Sequence, residues 1–302
     1  MKRVLRTTWL SRKTWLISIV VLVCSAISYP LLFDPIVTTF NITANTERIE
    51  IQTVDENGSH LNFYDADIYD TGTNPIFKKF TGSLKLNKGV AVTIERTAYG
   101  PAILQFNAPK NQIIGSIFDE NSQFVRHTSH FLQIFISNIK SRAENGQTII
   151  LPVDGVVNIG RSVDFETPDE STAVLRSGEI NMTGKSTFTD TFEAGTNQLY
   201  LGDQITFDDK NNKAFGFITI NEQPCMQAAY RVIAKQATIL KPGPKTQNSG
   251  VDIQATKFDR LSKASPFQII SLIFGALGFL TSLFTFLKDN NLIKGVILSW
   301  QK

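Results

Sequence analysis

The chain has 302 residues, a formal net charge of +3 and a mean hydropathy of −0.04 that averages two apolar ends with a polar middle. The basic surplus sits in the tails: Lys2, Arg3, Arg6, Arg12 and Lys13 precede the first apolar stretch, and Lys288, Lys294 and Lys302 stand against Asp289 after the second. The middle is acidic on balance, so charge gives no argument for nucleic-acid binding.

After the basic segment 1–14, residues 15–33 (WLISIVVLVCSAISYPLLF) carry no Asp, Glu, Lys or Arg. The same is true of 266–287 (PFQIISLIFGALGFLTSLFTFL). Each is about 20 residues long, enough for a helix to cross a hydrocarbon core of ~30 Å. Both stretches therefore read as transmembrane helices. Basic flanks stay in the cytoplasm, which places both ends inside and residues 34–265 outside. A cleavable signal peptide is the competing reading of the first stretch. The long apolar run without a small-x-small site argues for an uncleaved anchor, and Val23 before Cys24 argues against a lipoprotein. Cys24 and Cys225 lie in different environments and are not expected to pair. An exported region without disulfides fits a two-pass protein of the bacterial inner membrane with a periplasmic main domain. The glycosylation-type tripeptides at Asn41, Asn57 and Asn181 do not change that assignment.

Residues 34–265 read as β structure. Arg48–Val54 alternates apolar and polar side chains before the turn-rich Asp55-Glu56-Asn57-Gly58. Residues 89–94, 102–106, 148–151, 156–159 and 215–220 are short β-branched or aromatic runs bounded by Gly, Pro or polar residues. Gln123–Lys140 leans towards strand, with helix as an alternative at its start. The pattern predicts an exported antiparallel β-sandwich or jelly-roll-like region flanked by two transmembrane helices. A three-fold echo, Leu86-x-x-Gly89, Leu175-x-x-Gly178 and Leu199-x-x-Gly202, predicts a strand, a glycine-permitted turn or bulge, and another strand. A seam near 141–146 would divide the region into two lobes, and a single sandwich is the alternative. The Pro- and Gly-bearing stretch 241–250 reads as a linker or exposed loop.

In the second span, Ser271, Gly275, Gly278 and Ser282 form small-x-x-x-small patterns that let helix backbones approach closely, so they are the candidate helix-association residues. Phe267, Phe274, Phe279, Phe284 and Phe286 add bulk for lipid or a neighbouring helix. Neither span contains an ionisable residue, which argues against a proton relay or ion-coupled transport. Residues 288–302 are too short to cross again and read as an amphipathic cytoplasmic tail.

Motifs for chemistry are sparse. His127 and His130 form an H-x-x-H pair without the further ligands zinc needs, and His60 stands apart. Asp65, Asp67 and Asp70 lack the glycine and distal glutamate of a calcium loop. They read as solvated turns, as do Asp169-Glu170 and Asp208-Asp209. Gly184-Lys185-Ser186 lacks the leading glycine of a phosphate loop, and there is no G-x-S-x-G elbow. Cys225 reads as a buried, inert thiol. No catalytic, cofactor-binding or metal residue is expected, and no cofactor.

The expected function is a non-enzymatic membrane-anchored envelope protein. Its periplasmic β domain would act as a scaffold or binding module for a partner protein, a second copy, a glycan or a lipid. The alternative is an oligomeric membrane effector or channel subunit with an extracytoplasmic sensing domain. A third reading, an exported glycan-active enzyme, would require a cleft with paired carboxylates. Two terminal spans around a periplasmic region, with Pro266, Gly275 and Gly278 in the second, resemble the architecture of polysaccharide co-polymerases, whose periplasmic part is largely helical. An anchored β domain is similar to periplasmic lipopolysaccharide-transport proteins, which lack the second span. Both resemblances are of architecture and carry no residue over.

Overall fold

The computed structural model describes residues 29, 32–54, 60–70, 76–137, 139, 148–160, 173–186, 191–207, 212–242, 250–263 and 265–289. The chain is mainly β, as its alternating pattern predicts, with the strands in one large antiparallel sheet. Two compact units can be separated: Pro35–Thr183 with Ala194–Ala255, and Met1–Asp34 with Gly184–Glu193 and Thr256–Lys302.

In chain order the strands are β1 (Pro35–Ile36), β2 (Thr38–Thr46), β3 (Arg48–Thr53), β4 (His60–Tyr69), β5 (Phe77–Leu86) and β6 (Ala91–Glu95). Next come β7 (Ala102–Asn107), β8 (Gly115–Asp119), β9 (Phe124–His127), β10 (Phe131–Ile136), β11 (Ile149–Ile159) and β12 (Leu175–Lys185). The last are β13 (Thr191–Leu199), β14 (Gln204–Phe207), β15 (Ala214–Ile220), β16 (Met226–Ala234), β17 (Gln236–Leu240) and β18 (Gly250–Thr256). Hydrogen-bonded neighbours run β9–β8–β5–β4–β10–β7–β6–β3–β11. At β11 the sheet forks. Residues 149–155 continue into β15, β16, β2 and β12. Ile159 instead pairs with Ile205 of β14, which leads to β17, β18 and β1.

Burial follows the period-two pattern of strands, strictly so in β2 and β16. One contiguous core results, running from Phe40 and Ile42 through Ile94, Leu104, Phe106 and Ile134 to Ile218 and Ile239. Gln123–Lys140 contributes β9 and β10, in line with the strand reading. Residues 148–151 and 156–159, which look like separate runs, are one strand. Pro152 does not break it because its partner there is Phe217 on one edge, while β3 joins the other edge only from Gly155.

Two of the echo glycines, Gly89 and Gly202, have φ of +82° and +81° and sit in tight turns. Gly178 lies in β12 just past an irregularity in its pairing, where a Cβ would come within 2.6 Å of the Thr43 carbonyl oxygen. Turn or bulge is therefore what each glycine supplies. The Gly89 turn is not a hairpin, because β5 is filled by β4 and β8, and β6 by β3 and β7. The proposed seam at 141–146 and the turn 55–58 lie outside the described residues. So does most of 241–250; the residues at its two ends, Leu240 and Gly250, are directly paired between β17 and β18.

Two helices follow β18. In α1 (Lys257–Ser262), Thr256 accepts from the Asp259 N–H while the Asp259 carboxylate accepts from the Thr256 N–H, a complete capping box. The helix α2 (Ser265–Asp289) covers the second predicted span over 25 residues. Neither span is supported as a membrane-crossing helix, since among the described residues no helix is long and apolar enough to cross. The side chains of Phe267, Ile269, Leu272, Phe284 and Phe286 lie outside the described residues. In the first span only Tyr29, Leu32 and Phe33 are described, and the tails 1–14 and 290–302 are not.

Candidate binding face and a buried charge network

The outward side chains of β11, β15, β16, β2 and β12 line up in rows across the sheet. One row is Ile150, Thr219, Gln227, Asn45 and Ser177; the next is Pro152, Phe217, Ala229, Thr43 and Glu179. The β11–β15 side is apolar, with Ile150 56% and Phe217 57% exposed. The β2–β12 side carries amides and hydroxyls. There Asn41 Nδ2 donates to Thr183 Oγ1 at 3.1 Å and Asn45 Nδ2 to Ser177 Oγ at 3.4 Å. Asn181 donates to Glu179 Oε1 and accepts from Thr196 Oγ1. Asn41 and Asn181, read in sequence as glycosylation-type sites, are thus mid-strand members of this ladder; Asn57 lies outside the described residues.

A groove of about 650 Å³ opens on this face, lined on its polar side by Asn45, Ser177, Gln198, Gln227 and Thr219, with Tyr200 at one wall. Tyr200 follows β13 and is 64% exposed. The buried Asp203 carboxylate accepts from the Tyr200 N–H at 2.9 Å and from Lys241 Nζ at 2.7 Å. Lys241 Nζ in turn lies 5.1 Å from the centre of the Tyr200 ring. A buried carboxylate, a cation–π contact and a turn therefore hold an exposed aromatic ring in place.

Elsewhere in the β unit, four ionisable side chains meet where charged residues are rarely buried. Glu47 and Arg96 are each 2% exposed. Glu47 accepts from Arg176 and from the Val174 N–H. Arg96 Nη1 donates to the carbonyls of Asn221, Gln223 and Cys225 at 2.8, 3.0 and 2.7 Å, and Nε to that of Gly100 at 3.2 Å. Burial lowers the Arg96 pKa, while the hydrogen bond that Arg176 donates to Glu47 raises that of Arg176. Cys225 has φ +70° and its thiol donates to Glu47 Oε1 at 3.8 Å. Burial pushes the Cys225 thiol pKa up, with Arg176 opposing, so it is a poor nucleophile at neutral pH. The burial agrees with the reading of Cys225 from sequence.

Tyr230 projects into the core with no partner for its hydroxyl among the described residues, and burial raises its pKa. An unbonded buried hydroxyl costs roughly 1–3 kcal/mol. Tyr230→Phe is therefore expected to melt at or above the parent temperature in a thermal denaturation. Both Cys225 and Tyr230 have folded-state pKa values above their unfolded ones. Stability is then intact below the unfolded values, about 8.5 for thiol and 10 for phenol, and falls as pH rises beyond them. Urea midpoints measured from pH 8 to 11 should decline, and Tyr230→Phe should decline less above pH ~10.

The remaining sequence candidates are dispersed. Ser116 Oγ lies 3.0 Å from His127 Nδ1 at the β8–β9 edge, His130 uses its carbonyl to accept from the Ala108 N–H, and His60 pairs across from Lys85. Asp67 accepts from the Lys79 N–H, and Asp70 binds Arg126 and Ser129, so the aspartates have separate tasks. Among the described residues no group of three His, Cys, Asp or Glu could hold a metal ion. Residues 169–170 and 208–209 lie outside the described set. Ser271, Gly275, Gly278 and Ser282 recur at spacings of four, three and four on α2 and so share one face. A Cβ at Gly275 or Gly278 would meet nothing within 4 Å among the described residues.

The buried network gave no signal in sequence, because Glu47 and Arg96 lie at strand ends where charge usually marks a turn. The candidate face did give one: Thr39-Phe-Asn-Ile-Thr-Ala-Asn-Thr46 alternates buried apolar residues with amides and hydroxyls rather than charges. No protein-family model, curated protein or solved structure matches the chain.

Proposed function

We propose that the chain is a non-enzymatic, membrane-anchored envelope protein whose antiparallel β-sandwich is an extracytoplasmic binding module. The carrying observation is the surface of α2. Ile270, Ile273, Phe274, Leu277, Phe279 and Leu280 are each half or more exposed. They point to several sides of the helix, and an all-round apolar helix belongs in a protein core or a bilayer. The backbone of α2 spans 25 residues, about 37 Å at 1.5 Å per residue, over a stretch without charge until Lys288. Pairing of β1 with β18 sets the two ends of the β unit side by side. In the other unit, Lys257 Nζ and Asp34 are 3.1 Å apart and the Phe33 and Phe258 rings stack at 5.6 Å. Adjacent exits suit a module held by two neighbouring anchors.

The test is topological. In a bacterial host, alkaline phosphatase fused after Ala255 should be active and the same enzyme fused after Lys302 silent, with the whole chain resistant to carbonate extraction. Activity of both fusions, or release of the chain by carbonate, would overturn the reading.

The open face of Gly275 and Gly278 favours the second reading, self-association through α2 in an oligomeric effector. With Ser271→Cys as the reporter, parent membranes should yield a disulfide dimer that Gly275→Leu and Gly278→Leu abolish. Ion leakage on overexpression, lost in the same variants, would shift the assignment from scaffold to effector.

A further inference from the structure

Taking the β unit as the binding module of the anchored protein, we propose that the groove on the outer face of β15, β16, β2 and β12 binds a neutral oligosaccharide, stacked on Tyr200 and hydrogen-bonded by Asn45, Gln198 and Gln227. The lining decides the ligand's charge. Among the described residues that line the groove Glu179 is the only carboxylate and none is Lys, Arg or His, and the nearby Lys241 is already paired with Asp203, so phosphate groups, anionic headgroups and nucleic acids find no free counter-charge. It also decides the ligand's polarity. Asn and Gln offer two donors and an acceptor each, while Ser and Thr offer both roles, a mixture that matches hydroxyls acting as donor and acceptor at once. Among the described residues Gln198, Gln227 and Thr219 spend none of these groups on side-chain bonds within the protein, whereas Asn45 is steadied by Ser177.

A protein strand fits this face poorly. The flanking backbones are already paired on β15, β16 and β2, so strand addition has no free edge here. The groove lies within the ~300–1,000 Å³ range of small-ligand sites. Tyr200 supplies what amides cannot: an exposed π face for the C–H side of a sugar ring. Asp203 and Lys241 fix its position before any ligand arrives, which lowers the ordering cost of binding. Phe217, two residues from Thr219 and on the same face, extends the aromatic surface towards β11.

The experiment uses the whole chain in a polyoxyethylene detergent, which has no sugar headgroup, with calorimetric titration of cellohexaose, chitohexaose and maltohexaose. Dextran sulfate oligosaccharide serves as the anionic comparison. The expected result is saturable binding of at least one neutral hexasaccharide, weakened at least tenfold in Tyr200→Ala and in Gln227→Ala. Both side chains are exposed, so melting temperatures should stay at the parent value and report an intact fold. No saturable binding of any neutral probe up to millimolar concentration, equal binding by both variants, or preference for dextran sulfate would overturn the proposal. Membrane anchorage is read separately by the phosphatase fusions. An anchored chain that binds no sugar removes the glycan site alone, and a sugar-binding chain released by carbonate removes the anchor alone.

Discussion

Arg96→Met is expected to lower the unfolding free energy by about 3–5 kcal/mol, the range for breaking a buried charged contact. The reason is what the guanidinium holds. Its Nη1 and Nε together engage four backbone carbonyls, of Gly100, Asn221, Gln223 and Cys225. These oxygens belong to two irregular segments, 97–101 and 221–225, which have no ladder to satisfy them. Without the donor each buried carbonyl loses roughly 1–3 kcal/mol, offset where water can enter. Methionine fills much of the volume but donates nothing. Arg96→Lys should recover only part of the loss, because an ammonium does not reproduce the planar fork. Lys257→Met, which removes half of an exposed ion pair, should stay within about 1 kcal/mol of the parent. Urea denaturation of the three variants decides the matter, and equal midpoints for Arg96→Met and Lys257→Met would sink it. Cys225 gives an independent readout. Its N–H donates to the Ala98 carbonyl and its own carbonyl accepts from Arg96, so thiol alkylation should accelerate when that segment loosens.

Sequence and structure agree best where a single strand decides the pattern. The alternation in Arg48–Thr53, Ala91–Glu95, Ala102–Asn107 and Ala214–Ile220 is local, and each forms a strand within a residue or two of its apparent limits. Glycines at 89 and 202 announce left-handed turns for the same local reason. What a sequence does not display is which strands become neighbours. Glu47 meets Arg176 only because β2 pairs with β12, and Arg96 reaches Cys225 across more than a hundred residues. The groove is legible in its parts, through amides and hydroxyls at alternate positions of β2. It forms as a groove only after β16 and β12 flank that strand. Pro152 and Gly155 mislead in the opposite direction. Both resemble strand breakers, and both are accommodated because of what lies, or does not lie, on the edge beside them.

Gly155→Val is expected to prevent accumulation of folded chain, or to cost more than ~4 kcal/mol if folding survives. Gly155 is the residue at which β11 exchanges partners: it pairs with Thr53 of β3 and with Ala214 of β15 at once. A Cβ there would lie 2.2 Å from the Gln52 carbonyl oxygen and 2.9 Å from its carbon. Those atoms belong to the backbone of a paired strand, so they cannot yield as a flexible side chain would. Relief requires β3 to separate from β11, which would break the junction between the strands that begin at β9 and both branches of the fork. A β-branched residue is otherwise favoured in strands, so propensity alone predicts stabilisation and the steric argument predicts collapse. Gly195→Ala is the matched control, since its Cβ would meet only Met182 Cε at 3.8 Å, an ordinary contact. Circular dichroism and thermal melting of both variants separate the two arguments. A Gly155→Val chain that melts with the parent would mean that β3 and β11 do not approach as closely as their register requires.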